Sequence, residues 1–163
     1  MKLSMQEATN AIKEALERRK IRYQYEEEKH IFIIRVSLSQ TKLKRLQVIL
    51  ELEPWSEDNS VCIGIQSHGL LGLKVGENGR QNVADYLHRV NWNIKIGKFI
   101  LDMTDGTVCY RIYLNTVDGL PGSDALDDLV WLPVSLCNRY GDGLLDVSVD
   151  LVTPEEAIQK SRN

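Results

Sequence analysis

Between Lys98 and Tyr113, apolar and polar residues alternate on both sides of an Asp105-Gly106 step. Alternation at a period of two puts successive side chains on opposite faces of a strand. Asp-Gly between two such runs favours a two-residue type I′ hairpin turn, with positive φ at both central residues. That turn sets a register in which Thr104 faces Thr107, Met103 faces Val108, Leu101 faces Tyr110 and Phe99 faces Ile112. The last three pairs are all apolar and share one face. The opposite face pairs Asp102 with Cys109, Ile100 with Arg111 and Lys98 with Tyr113. A chain carrying this hairpin builds an antiparallel sheet with one apolar face and one mixed face.

The flanking segments fit the same plan. Ser4 with Glu7 reads as a capping box, and Met5, Ala8, Ile12, Ala15 and Leu16 recur at helical spacing, ending near Lys20. From Tyr23 the period becomes two. A strand at 23–25 leads through Glu26-Glu27-Glu28-Lys29, read as a hairpin connection, to a strand with Phe32, Ile34, Val36 and Leu38 on one face. Leu46, Val48, Leu50 and Leu52 form a half-buried strand that Pro54 stops. A short strand holding Val61, Ile63 and Ile65 precedes a glycine-dotted loop at 69–79. Asn78 is the expected cap of a second helix, with an apolar stripe of Val83, Tyr86, Leu87 and Val90 and a left-handed end at Asn91. Ser123 is expected to cap a third helix carrying Leu126, Leu129, Val130, Leu136, Cys137 and Tyr140. Pro133 is expected to kink it and Gly141 and Gly143 to weaken or end it. The 144–151 stretch reads equally as a helix remnant or an edge strand. Thr153-Pro154-Glu155-Glu156 opens a short last helix.

The expected architecture is a single α+β domain over 1–163. An antiparallel β-sheet has helices packed on one face, in the order α-β-β-β-(β)-α-β-β-α. With 163 residues, such a domain can bury roughly 70% of its unfolded surface and needs no metal or disulfide staple. Lys and Arg number 20 against 23 Asp and Glu, a net charge of −3, which argues against non-specific binding to nucleic acid or anionic membrane. No continuous apolar segment reads as a secretory leader or a membrane span, so a cytoplasmic location is expected. Cys62, Cys109 and Cys137 are odd in number and widely spaced, which favours buried thiols over a disulfide framework.

The stretch Tyr86-Leu87, Asn91-Trp92, Gly97-x-Phe99, Asp102, Asp105-Gly106, Val108 and Tyr110-Arg111 resembles the bacterial YbjN family, described as sensory transduction regulators. Thr153 to Ala157 matches a Thr-Pro-Glu-Glu-Ala-like segment near the end of many members. The resemblance implies a fold similar to type III secretion chaperones and a homodimer, and it carries over no enzymatic activity. Pro133 and Gly141-Asp142-Gly143 depart from the simplest family pattern.

Candidate chemistry is sparse. Asp102, Thr104 and Asp105 lack the spacing of a calcium loop and read as a turn. Gly69, Gly72, Gly76 and Gly79 fit no phosphate-binding motif. A Cys62–His68 nucleophile pair has no oxyanion motif around it, and His30 and His88 stand apart. Arg18, Arg19, Lys20 and Arg22, and then Lys42, Lys44 and Arg45, form basic clusters, with Tyr23 and Tyr25 beside the first. The Glu26 to Glu28 run opposes a nucleic-acid site there. Trp55, Trp92 and Trp131 are large apolar groups, of which Trp131 falls off its helix's main stripe.

No residue is assigned a catalytic, cofactor or metal role. The reading is a non-catalytic protein-interaction module, chaperone-like or regulatory, acting as a homodimer on a protein partner through Ile100, Arg111, Tyr113 and Trp131. The alternative is an enzyme or small-ligand protein with a pocket between helices and sheet. RNA binding through the basic clusters is a weaker third.

Overall fold

The structure, a computed structural model, describes residues 3–54 and 63–162. Helix α1 (Met5–Arg18) leads into strands β1 (Gln24–Glu26), β2 (Ile31–Ser37), β3 (Arg45–Pro54) and β4 (Ile63–Lys74). Helix α2 (Glu77–Asn93), strands β5 (Lys98–Leu101) and β6 (Thr107–Asn115), and helices α3 (Ser123–Ser148) and α4 (Pro154–Lys160) follow. The strands form one antiparallel sheet in the order β1-β2-β3-β4-β6-β5. The α+β architecture expected from the sequence is the one observed.

The expected capping box at Ser4 forms, and a second one stands at the expected Thr153 cap. Ser4 Oγ accepts from the Glu7 N–H at 3.2 Å while the Glu7 carboxylate accepts from the Ser4 N–H at 2.7 Å, and Thr153 and Glu156 repeat the exchange at α4. The helices cover one sheet face. Phe32, Ile34, Val48, Leu50, Ile65 and Tyr110 point into that layer and meet Ile12, Tyr86, Leu129 and Leu144, all but fully buried. The alternative pocket between helices and sheet is therefore occupied by core side chains.

Several local expectations are corrected. The β5–β6 register is shifted by two: Leu101 faces Val108, Phe99 faces Tyr110, Ile100 faces Cys109 and Lys98 faces Arg111. Only Gly106 has positive φ, at 79°, so a type I′ turn does not form. Instead Asp102 accepts from the Thr104 N–H at 2.7 Å and Asp105 from the Thr107 N–H at 2.8 Å, two side-chain turns that support a loop over 102–106. A shift of two keeps every side chain on its expected face. Asp102, Met103 and Thr104 leave the sheet for the loop, and Met103 becomes an exposed apolar side chain.

The expected loop at 69–79 is the second half of β4 followed by the start of α2. Gly69 stands within the strand because a Cβ there would lie 3.1 Å from Pro133 Cβ on α3. Helix α2 is capped by Gly76 rather than Asn78, and Gly79 inside it lets the Ser148 carbonyl approach. Asn91 does not end α2. Its amide spans Phe99, accepting from the N–H at 2.8 Å and donating to the carbonyl at 2.9 Å.

Helix α3 starts after Gly122 with Ser123 already helical, and it runs without a break through Pro133, Gly141 and Gly143 to Ser148. Proline at 133 cannot donate to the Leu129 carbonyl. The buried Ser67 hydroxyl on β4 donates to it instead, at 2.5 Å. The glycines admit neighbours. Thr41 and Leu43 press on Gly141, and the Tyr86 hydroxyl, which donates to the Tyr140 carbonyl at 3.0 Å, sits over Gly143. Residues 144–148 are thus helix, not edge strand.

Candidate functional site

The other sheet face has no element of the described chain over it. Its cross-strand rows follow from the register. The middle row runs Gln24, Ile33, Ile49, His68, Arg111, Lys98; on one side lie Arg35, Gln47, Leu70, Cys109, Ile100, and on the other Glu26, Ile31, Glu51, Gln66, Tyr113. Ile49, Leu70 and Ile100, half-buried, and Ile33 and Cys109, buried, make an apolar strip across this face. The charges sort by end. Glu51 and Glu53 lie towards the end where β3 finishes, and Arg35 and Arg45 towards the end where it begins.

His68 is the most constrained polar group on this face. Its side chain is 17% exposed, and Nε2 lies 3.4 Å from Glu51 Oε2 without a hydrogen bond. Burial and the neighbouring Arg111 charge hold it below the ordinary histidine value, against the pull of Glu51 and Glu53. The unfolded chain takes up this proton near the ordinary value of 6.5, the folded chain only at lower pH. His68 therefore supports the fold above the ordinary value, and that support fades as the pH falls through the lowered one. A His68→Gln variant is expected to lose less stability than the parent between about pH 7 and pH 5. Urea midpoints across that range measure it, and equal losses would refute it.

Of the four residues singled out from the sequence, Ile100, Arg111 and Tyr113 share the open face on β5 and β6. Trp131 does not join them. It stands on α3, which packs on the other side of the sheet, and is 47% exposed. Trp92, named with Trp131 as a large apolar group but left out of the contact residues, is 85% exposed near the end of α2. Its position off the Val83-Tyr86-Leu87-Val90 stripe was the signal.

Edge pairing at β5 is blocked where Asn91 occupies both backbone groups of Phe99. The basic clusters are divided. Arg19 pairs with Asp127 and Lys42 with Asp146, while Lys44 and Arg45 have no ion-pair partner among the described residues. Cys109 and Cys137 are buried free thiols, and burial raises both, Cys137 to about 12. Cys62 and Trp55, and so the Cys62–His68 pair, lie outside the described residues. Among the described residues no three His, Cys, Asp or Glu side chains are grouped to hold a metal ion, and no helix is long and apolar enough to cross a membrane.

No curated protein matches the sequence. The family model described as "Putative bacterial sensory transduction regulator" matches residues 9–146, from α1 almost to the end of α3. That match takes in most of α1 and α3, all of α2 and the sheet with its open face, but not α4, and by it the chain belongs to the YbjN family.

Proposed function

We propose that this chain is a non-catalytic protein-interaction module, regulatory or chaperone-like, that works in the cytoplasm. The observation that carries the reading is the uncovered sheet face. An apolar strip of Ile33, Ile49, Leu70 and Ile100 is flanked by charges of both signs. Such a patch on a soluble domain marks a contact surface. Ile100, Arg111 and Tyr113 form its β5–β6 half. The first occupant of that half is a second copy of the chain, in a two-fold pairing that brings the same residues of both copies together. That face is the feature of the described chain with most to offer a partner.

Light scattering on gel-filtered protein tests this. The parent chain is expected to run as a dimer at tens of micromolar, and Ile100→Glu as a folded monomer. Burying an unpaired carboxylate against an apolar strip costs several kcal/mol, enough to dissociate a micromolar pair. A monomeric parent chain, or a variant that stays dimeric, would refute pairing through this half of the face.

A further inference from the structure

The β3–β4 ladder ends at Gln47 and Leu70, although β3 extends back to Arg45 and β4 on to Lys74. Beyond that pair the strands part. β4 irregularly steps through 71–73 before pairing again with β6 at Lys74, and Gly72 takes a φ of 69°. The opening is a groove of about 870 Å³. Leu43, Leu46 and Leu71 are among its apolar lining, and Arg35, Lys44 and Arg45 bring positive charge to it. None of these three cations has an ion-pair partner among the described residues, and the lining holds no carboxylate.

We infer that this fork is a docking site for an extended acidic peptide segment of a protein partner. The inference rests on the interaction-module reading and names the chemistry of what that module binds. Strands that part leave room for an extended segment to enter as an added strand does; on β3 the Arg45 N–H already donates to the Leu43 carbonyl at 2.7 Å, so side chains carry most of the contact. The part-exposed side chains of Leu43 and Leu70 receive its apolar residues, and the cations receive its carboxylates. Glu51 and Glu53 at the far end of the face repel such a segment and confine it to the fork. Nucleic acid fits less well, because no aromatic side chain lines the groove to stack a base.

Fluorescence anisotropy with a labelled decapeptide alternating Glu and Val tests the site. The parent chain is expected to bind it, with affinity falling about tenfold or more from low to high salt. A matching Lys-Val peptide is expected not to bind, and an Arg35→Ser, Arg45→Ser double variant to lose at least about tenfold in affinity. Both arginines are exposed, so urea midpoints of the variant should match the parent. No acidic-peptide binding, equal binding of both peptides, an unaffected double variant, or tighter binding of an oligouridine would overturn the site. Ile100→Glu separates the two proposals. If it turns monomeric yet keeps the peptide, both stand. If the parent is monomeric but binds the peptide through these arginines, the fork stands and the self-pairing falls.

Discussion

Replacing Gly106 with alanine is expected to destabilise the chain by about 3 kcal/mol, a large fraction of what holds a domain of this size together. Two effects add. Gly106 has a φ of 79°, a left-handed conformation that costs an L-residue roughly 1–2 kcal/mol. A Cβ there would also lie 2.0 Å from the Val75 carbonyl oxygen, which is backbone and cannot swing aside. The loop must therefore move away from the β4–α2 junction. That breaks the Val75 N–H bond to the Gly106 carbonyl, 2.8 Å long, and strains the Arg80 guanidinium that donates to the Val75, Met103 and Thr104 carbonyls. Losing these adds about 1–2 kcal/mol. Gly72→Ala is the control, since it has a φ of 69° and nothing within 4 Å of the added methyl. It should cost only the backbone strain, about 1 kcal/mol. Urea denaturation of the two variants measures the difference, and equal losses would show that the Gly106–Val75 approach is not a constraint.

Ser67→Ala is expected to cost about 2 kcal/mol, and most of that cost should vanish when Pro133 is also replaced by alanine. The Leu129 carbonyl is buried and four residues before a proline, so no N–H inside α3 reaches it. Removing the Ser67 hydroxyl leaves that carbonyl without a donor, a penalty of roughly 1–3 kcal/mol. Alanine at 133 restores the missing N–H at the i+4 position, and the serine is no longer needed. A double-mutant cycle should therefore give a coupling of about 1 kcal/mol or more. Additive losses would mean that the serine acts only by filling space. The pair also explains a buried hydroxyl in the middle of an apolar strand face.

Much of this was legible in the residues. Period two in β2, β3 and β6 fixed which side chains face the helices, and Ser4-Glu7 and Thr153-Glu156 fixed two helix starts. What the sequence hid was long-range. Whether Asp105-Gly106 closes a two-residue or a longer loop depends on side-chain turns from Asp102 and Asp105 and on Val75 holding Gly106. Both registers obey the same alternation, so pattern alone could not separate them. Gly69, Gly141 and Gly143 read locally as breakers, yet they stand inside regular elements because Pro133, Thr41 and Tyr86 press against them. The open face was half visible. Its residues alternated as expected, but that no helix covers them, and that Trp131 belongs to the other side of the sheet, follows only from the packing of α3. The fork was invisible, because Arg35 and Arg45 come to line one groove with Leu70 and Leu71 only through strand order and the early end of one ladder.

The account turns on the uncovered sheet face being where this protein meets others of its kind. Methyl NMR with a soluble paramagnetic probe reads that most directly, in dilute and in concentrated samples. The account predicts that the Ile100 signal escapes the probe as concentration rises, while Val149 and Leu151, exposed at the α3–α4 junction, remain fully attenuated. Protection gained at Val149 and Leu151 instead, with Ile100 still open to the probe, would contradict it.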